Sequence, residues 1–388
     1  MLIQRRLLGK LLELLKTEGL ILVEGPPRCG LSTFAAQIAK AAPGAILVHA
    51  GTELGRNVLA APALALGALP SSVAAGARPS HGPRLLVADE AGPEEARAAA
   101  AALASGAAGE RTRMVLVGRG FPDGLPAARL ALGPLSLGEV GAGSRTRHWL
   151  RGGFPEAFAA PSDQAAAEWL GRYAASVSEE RFAAAGLPWA PGRSARLLAM
   201  VAEAQGGGLN ESAAARSLGL SRPTVARALA SLVRAGLARE LPAIGRPRAG
   251  RVARAPALYL RDSGLYNALM GLAGFDRLLG SARLAASWEG YAIEQALALL
   301  PPGIEAARAT SRDGNALELV LSRGGGAIAA ASIRWARRGG PGRAAAAAAD
   351  ELEIPLRWLV LPESEEADAG AGFRALGLSR FLELVAEL

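Results

Sequence analysis

Residues 20–41 constrain this chain more than any other stretch. The apolar run Leu20-Ile21-Leu22-Val23-Glu24 leads without a break into Gly25-Pro26-Pro27-Arg28-Cys29-Gly30-Leu31-Ser32-Thr33, and the helix-forming sequence STFAAQIAKAA starts at Ser32. A short apolar run bounded by a glycine turn reads as a buried strand. The glycines let successive backbone amides turn inward at a helix N-terminus, which is how a loop surrounds a phosphate chain. Their spacing and Ser32 fit the pattern GxxxxGK[ST], in which the hydroxyl ligates Mg2+. One position departs from it: the place of the lysine is taken by Leu31.

Composition decides how to read that departure. Of 43 basic residues only Lys10, Lys16 and Lys40 are lysines and the other 40 are arginines, so drift away from lysine in this chain ends in arginine. Leucine carries no charge, and the position has lost its cation. Such a lysine neutralises the β- and γ-phosphates as charge builds during transfer, so hydrolysis should suffer more than binding. Arg28, inside the loop, is the nearest alternative cation. No lysine follows residue 40, which excludes any later chemistry that needs an amine.

Further strand-like runs alternate with helical stretches: Ala45–Val48, Arg84–Ala88 ending in Asp89-Glu90, and Arg113–Val117 ending in Gly118-Arg119-Gly120. The alternation implies an α/β domain with a parallel sheet. Residues 56–83, rich in Gly, Pro, Ala and Ser, read as a loose connection. An acidic pair after a strand, some sixty residues beyond a phosphate loop, has the form of a Walker B motif. Asp89 would then hold Mg2+ through water and Glu90 would polarise the attacking water. The other reading of the pair is a solvated strand end and helix cap. The first 19 residues read as an amphipathic helix too interrupted by charge to be a leader or a membrane span. One cysteine and three scattered histidines exclude a disulfide within the chain and a cysteine-based zinc site. These features point to a cytoplasmic protein with no membrane partner.

The order of motifs resembles the prokaryotic AAA-type ATPases of the AAA+ superfamily that carry a C-terminal domain of unknown function. The residues behind the resemblance are the phosphate loop, LLVADE, the strand ending in VGRG, Pro134-Leu135-Ser136 with Glu139, and Arg151-Gly152-Gly153-Phe154-Pro155-Glu156. Ala257–Leu265 (ALYLRDSGL) and Trp288-Glu289-Gly290, similar to a helix start in the family, complete the set. The resemblance implies ATP and Mg2+ as ligands. Two positions depart from the family at the chemistry, Leu31 and the Gly118-Arg119 stretch, where the family has a serine or threonine that senses the γ-phosphate. Arg129 matches a family arginine before PLS, read either as acting on phosphate in trans or as a surface salt bridge.

The middle of the chain holds its basic excess. Residues 193–254 carry 11 basic and three acidic side chains, an excess equal to the whole net charge of +8. Residues 195–204 form an amphipathic helix stopped by Gly206-Gly207-Gly208. Asn210 caps a second helix, and Ser221 caps a third with Pro223 in its first turn. Leu237–Leu241 and Val252–Leu260 would be two strands of a wing joined by IGRPRAGR. This winged-helix reading puts Arg222, Thr224 and Arg227 toward a major groove and Arg246, Arg248 and Arg251 on phosphates of double-stranded DNA. The competing reading is a module for an unknown protein partner with a solvated arginine face.

Some members of the resembled family end in a restriction-endonuclease-like fold with ExDxxL and ExK strands around a metal. The matching run here is Ala316–Leu321, followed by Ser332-Ile333-Arg334, and only Glu318 remains acidic. Nuclease activity is therefore not expected, although the strands, Trp358–Leu361 among them, can still build the fold. Ala344–Ala349 with Asp350 and Glu351 reads as a surface helix. The domain expectation is an AAA-type domain at 1–145, a helical and winged-helix region at 146–275 and a degenerate nuclease-like α+β domain at 276–388.

Overall fold

A computed structural model describes residues 3–62, 84–108, 112–184, 186–187, 189, 192–244, 256–311, 314–336 and 340–388. The chain divides into two compact units, Met1–Leu135 and Ser136–Leu388.

The first unit contains helix α1 (Leu7–Leu14), strand β1 (Leu20–Glu24), α2 (Leu31–Ala41), β2 (Ile46–His49), α3 (Glu53–Ala60), β3 (Arg84–Ala91), the helix Pro93–Ala104, β4 (Thr112–Gly118) and β5 (Ala128–Ala131). The strands form one sheet in the order β2-β3-β4-β1-β5, every neighbouring pair parallel. Leu20, Leu22, Leu86, Ala88, Met114 and Leu116 share one core with Ala96 and Ala99 of the helix Pro93–Ala104. The intervening Ile21, Val23, Val87, Val115 and Val117 are buried too. A parallel sheet covered on both faces needs continuous apolar runs rather than alternation, which is why these strands stand out in the sequence. Helix α2 buries Phe34, Ala35 and Ile38, spaced as one helical face.

One strand differs from expectation. β3 runs through the acidic pair to Ala91 instead of ending at Ala88, and its register with β4 shifts between Ala88 and Ala91. Asp89 and Glu90 therefore sit in a bulge inside a strand. The following helix is capped instead by Gly92, whose amide donates to Glu95.

In the second unit, helices Arg145–Arg151, Asp163–Ala184, Arg193–Glu203, Glu211–Leu218 and Arg222–Arg234 precede an antiparallel ribbon of β6 (Ala238–Leu241) and β8 (Ala257–Leu260). The short β7 (Ala243–Ile244) instead joins β9 (Ile304–Ser311), at one edge of a seven-stranded mixed sheet. This sheet continues through β10 (Gly314–Arg323), β11 (Gly326–Ile333), β12 (Leu356–Leu361), β14 (Phe373–Gly377) and β13 (Ala367–Gly370). The helix Arg343–Glu351, read as a surface helix, buries Ala345, Ala348 and Ala349 against Leu317, Val320 and Phe373 of the sheet. Its small side chains make it a covering helix at close approach. Trp288-Glu289-Gly290 lies inside the helix Leu284–Leu297 rather than at its start.

Candidate functional site

The loop between β1 and α2 is held from behind. Gly25 packs so tightly that a Cβ there would come within 2.3 Å of the Leu132 carbonyl oxygen and 2.8 Å of the Cys29 sulfur. The Cys29 thiol donates to the same carbonyl at 3.4 Å, and burial pushes it up to about 12, so it stays protonated and unreactive at neutral pH. Arg28 and Gly30 both have positive φ, +65° and +98°. Left-handed residues at this spacing bend the backbone into the concave turn that gathers amides. Gly30 precedes the first turn of α2, where Ser32 and Thr33 are exposed and Leu31 is partly exposed. The turn therefore leads directly into the helix, and the side chain at its first position, Leu31, is apolar. Pro26 is buried beneath the turn, and Pro27 is partly so.

The acidic pair reaches the same edge of the sheet. Glu24 at the end of β1 is level with Gly118 of β4, and Gly118 is level with Ala91 of β3. One strand therefore separates the loop from Asp89 and Glu90, all at the carboxyl ends of parallel strands. Asp89 is buried, with Nδ1 of exposed His49 3.9 Å from its carboxylate. Glu90 is exposed and adopts φ +58°, one of four non-glycine residues with positive φ among the described residues. Two of those four, Arg28 and Glu90, lie at this edge. Backbone strain of this kind persists only where surrounding structure enforces it.

Arg129 occupies a structural position. Its guanidinium pairs with Glu24 at 2.9 Å and donates to the carbonyls of Phe121, at 3.4 Å, and Pro122. Glu24 also accepts from the Phe121 amide at 3.0 Å. The salt-bridge reading holds in this conformation. At Gly118 a Cβ would come within 1.8 Å of the Ala91 carbonyl oxygen, so no serine or threonine fits there without moving the bulge. The charge of Arg119, the next residue, favours the thiolate form of Cys29.

Two motifs of the second unit bind each other. Asp262 accepts from the Gly153 amide at 2.7 Å and caps the helix Ser263–Leu269 through the Leu265 amide at 2.8 Å. Gly152, at φ +75°, leaves room for that carboxylate, and a Cβ there would come within 2.1 Å of it. Gly264 in turn lies where a Cβ would come within 2.2 Å of the Arg151 carbonyl. Asn267 donates to the carbonyls of Trp149 and Leu150 and accepts from Ser287, which accepts from the Trp149 indole. RGGFPE and LYLRDSGL are thus two halves of one buried joint. Burial raises the Asp262 carboxyl to about 6 against four backbone amides that lower it. The sequence signal for this role was an aspartate directly before a helix, an N-cap signature.

Of the residues read as contacting DNA, Arg222 pairs with Glu211 at 2.9 Å and Thr224 shares a hydrogen bond with the capping Ser221 at 2.8 Å. Arg227 is exposed on the same helix. Arg246, Arg248 and Arg251 lie outside the described residues. Glu318 accepts from the Ile333 amide at 3.0 Å and from Arg334 at 2.7 Å, so an arginine neutralises the one acid left from the nuclease pattern. Its neighbour Glu289 reads in the sequence only as part of a helix start. This carboxyl accepts from Tyr259 at 2.6 Å and is raised to about 7, chiefly by burial and then by the charge of Glu318. Among the described residues no group of three or more metal-ligating side chains occurs, and no helix is long and apolar enough to cross a membrane.

Comparison with known proteins gives one family match, which lies in the second unit. A family model described as "Domain of unknown function (DUF8612)" matches residues 144–276, which contain both halves of the buried joint. Two curated proteins, "Uncharacterized protein Mb2031c" of Mycobacterium bovis and "Uncharacterized protein Rv2008c" of Mycobacterium tuberculosis, are each 33% identical over 199 residues. That stretch is 49% of this chain and 45% of each relative, so the match spans about half their length. A solved structure, the Walker-type ATPase PABY2304 of Pyrococcus abyssi, aligns with a TM-score of 0.42 at 14% identity, over 70% of this chain and 96% of that one.

Proposed function

We propose that the first unit is an AAA-type P-loop domain that binds ATP or ADP with Mg2+ and hydrolyses ATP slowly or not at all. The observation that carries this reading is the loop Gly25–Thr33. Its backbone has the strained turn of a phosphate cradle at the carboxyl edge of a parallel sheet, beside Asp89, while Leu31 replaces the cation. Gly25, Pro26, Pro27, Arg28, Cys29, Gly30, Leu31, Ser32 and Thr33 form the nucleotide cradle. Ser32 and, through water, Asp89 hold Mg2+. Glu90 orients the attacking water. Backbone amides and the helix N-terminus supply binding without a lysine, whereas charge developing on the γ-phosphate goes unmatched. Titration of a fluorescent ATP analogue with Mg2+ should show saturable binding, tightened by Leu31→Lys. Absence of saturation at millimolar concentration overturns the reading.

A second reading concerns residues 146–275. Their three consecutive helices and antiparallel ribbon, with the chain's basic excess, support a winged helix that contacts double-stranded DNA or a protein partner. In this view the protein is a DNA-associated regulator with the P-loop domain as scaffold. Residues 276–388 are then a degenerate nuclease-like domain, its Glu318 neutralised by Arg334. A salt-dependent shift of duplex DNA that disappears with Arg222→Ala and Arg227→Ala together supports DNA contact, and absence of a shift at low salt removes it.

A further inference from the structure

Arg5 lies before α1, in the stretch read from the sequence as part of an amphipathic helix, and is only 6% exposed. Its Nη1 donates to the carbonyl of Cys29, inside the phosphate loop, at 2.9 Å. Its Nη2 donates to the carbonyls of Gly133 at 2.5 Å and Pro134 at 3.3 Å, two of the last residues of the first unit. The backbone around it is fixed as well. The Arg5 amide donates to the Gln37 side chain of α2 at 3.1 Å, and that side chain donates back to the Ile3 carbonyl at 2.7 Å. A second thread runs in parallel: the Leu132 amide donates to the Glu24 carbonyl at 2.7 Å, and the Leu132 carbonyl accepts from the Cys29 thiol.

The geometry of a peptide gives the Cys29 contact its meaning. In a trans peptide the carbonyl and the following N–H point in opposite directions. No cis bond occurs among the described residues. Holding the Cys29 oxygen on Arg5 therefore turns the Gly30 N–H away from the guanidinium. A guanidinium is suited to this task, because its fixed fork of donors can serve several carbonyls at once.

We propose that Arg5 is a positioning residue of the phosphate loop and couples the loop to the segment by which the chain leaves the first unit. This rests on the nucleotide reading above. Through Cys29 it aims the Gly30 amide at a bound phosphate. Through Gly133 and Pro134 the same guanidinium registers any shift of the loop in residues 132–134. A phosphate that pulls on the Gly30 amide thus tightens the outgoing segment beyond the tie that Arg5 already makes without ligand.

Hydrogen exchange on the full chain, with and without Mg2+ and ATP, tests this in wild type, Arg5→Ala and Arg5→Lys. Without nucleotide, Arg5→Ala should speed exchange about tenfold in residues 25–34 and 130–135 together, leaving the centres of β3 and β4 unchanged. With nucleotide, wild type should gain protection in both segments. Arg5→Ala should bind about tenfold more weakly and, once saturated, protect the loop alone. Arg5→Lys, which keeps the charge but not the fork, should fall between them, and it carries the test if the alanine variant does not fold. Unchanged exchange, or protection of 130–135 that survives saturation of Arg5→Ala, overturns the coupling. Wild type that binds no nucleotide while both segments loosen together in Arg5→Ala refutes the nucleotide reading and leaves the tie between the segments standing.

Discussion

The Gly25–Thr33 loop of the first unit and the joint formed by RGGFPE and LYLRDSGL in the second both depend on glycines at sharp turns, but they use them differently. At the loop, Arg28 and Gly30 take positive φ and Ser32 and Thr33 stay exposed, so the turn presents groups outward. In the joint, Gly152 and Gly264 make room for Asp262 and for the Arg151 carbonyl, and the partners meet inside the protein. A recognisable motif can therefore mark a site or a lock. What separates the two is whether its polar side chains face outward, as Ser32 and Thr33 do, or are enclosed, as Asp262 is.

The strongest way to break this contrast is to fill the lock. Gly152 has φ +75° and ψ −173°, a region open essentially to glycine alone, and its Cβ would meet the Asp262 carboxylate. Gly152→Ala should cost about 3 kcal/mol or more in chemical denaturation. A cost near zero would show that the joint yields, and the motif would then need another explanation. The loop has no such penalty to expect at its altered position. Leu31→Lys places a cation on an exposed first turn, and if Asp89 and Glu90 are in working order it should raise ATP turnover about 100-fold in a phosphate-release assay. Binding that tightens without any gain in turnover would put the defect at the bulged acidic pair instead.

Legibility in the sequence follows the same division. β1 is found at Leu20–Glu24, where the apolar run places it, because a doubly covered parallel strand leaves no polar interruption. The caps at Asn210 and Ser221 accept from the amides of Ala213 and Thr224, as short polar side chains before helices announce. Bulge, joint and clamp were not legible. The register shift at Asp89-Glu90 is a property of two strands at once. Arg5 meets residues 24 and 128 positions away, and Glu289 meets Tyr259 and feels Glu318 across three elements. Local periodicity carries no information about such pairs.

The acids of the second unit sharpen the contrast through pH. The Glu289 carboxyl is raised to about 7 and that of Asp262 to about 6, in both cases chiefly by burial. A folded state that binds these protons more tightly than the unfolded chain loses stability as pH rises from the ordinary carboxylate range through these values. Melting temperature should therefore fall by roughly a few degrees between pH 5 and 8, apart from contributions of other groups. Glu289→Gln, which keeps the acceptor for Tyr259, should flatten part of that slope. An unchanged slope would show that Arg308 and Arg334 already compensate the charge.

The smallest effects belong to the arginine face of residues 193–254. Arg222 and Glu211 form an exposed pair, and such pairs contribute about 0–1 kcal/mol, so Arg222→Ala should leave thermal stability almost unchanged. If this face meets DNA, the consequence appears in salt dependence. Each phosphate contact removed should lower the slope of log K against log salt by about 0.9. Arg227→Ala should show that loss more cleanly than Arg222→Ala, because Arg222 must give up Glu211 before it reaches a phosphate. Equal slopes for wild type and both variants, with binding retained, would place the contact elsewhere on the molecule. A slope that drops only with Arg227→Ala would mean that Arg222 stays paired with Glu211, while Arg227 stays outward, like the exposed turn of the loop.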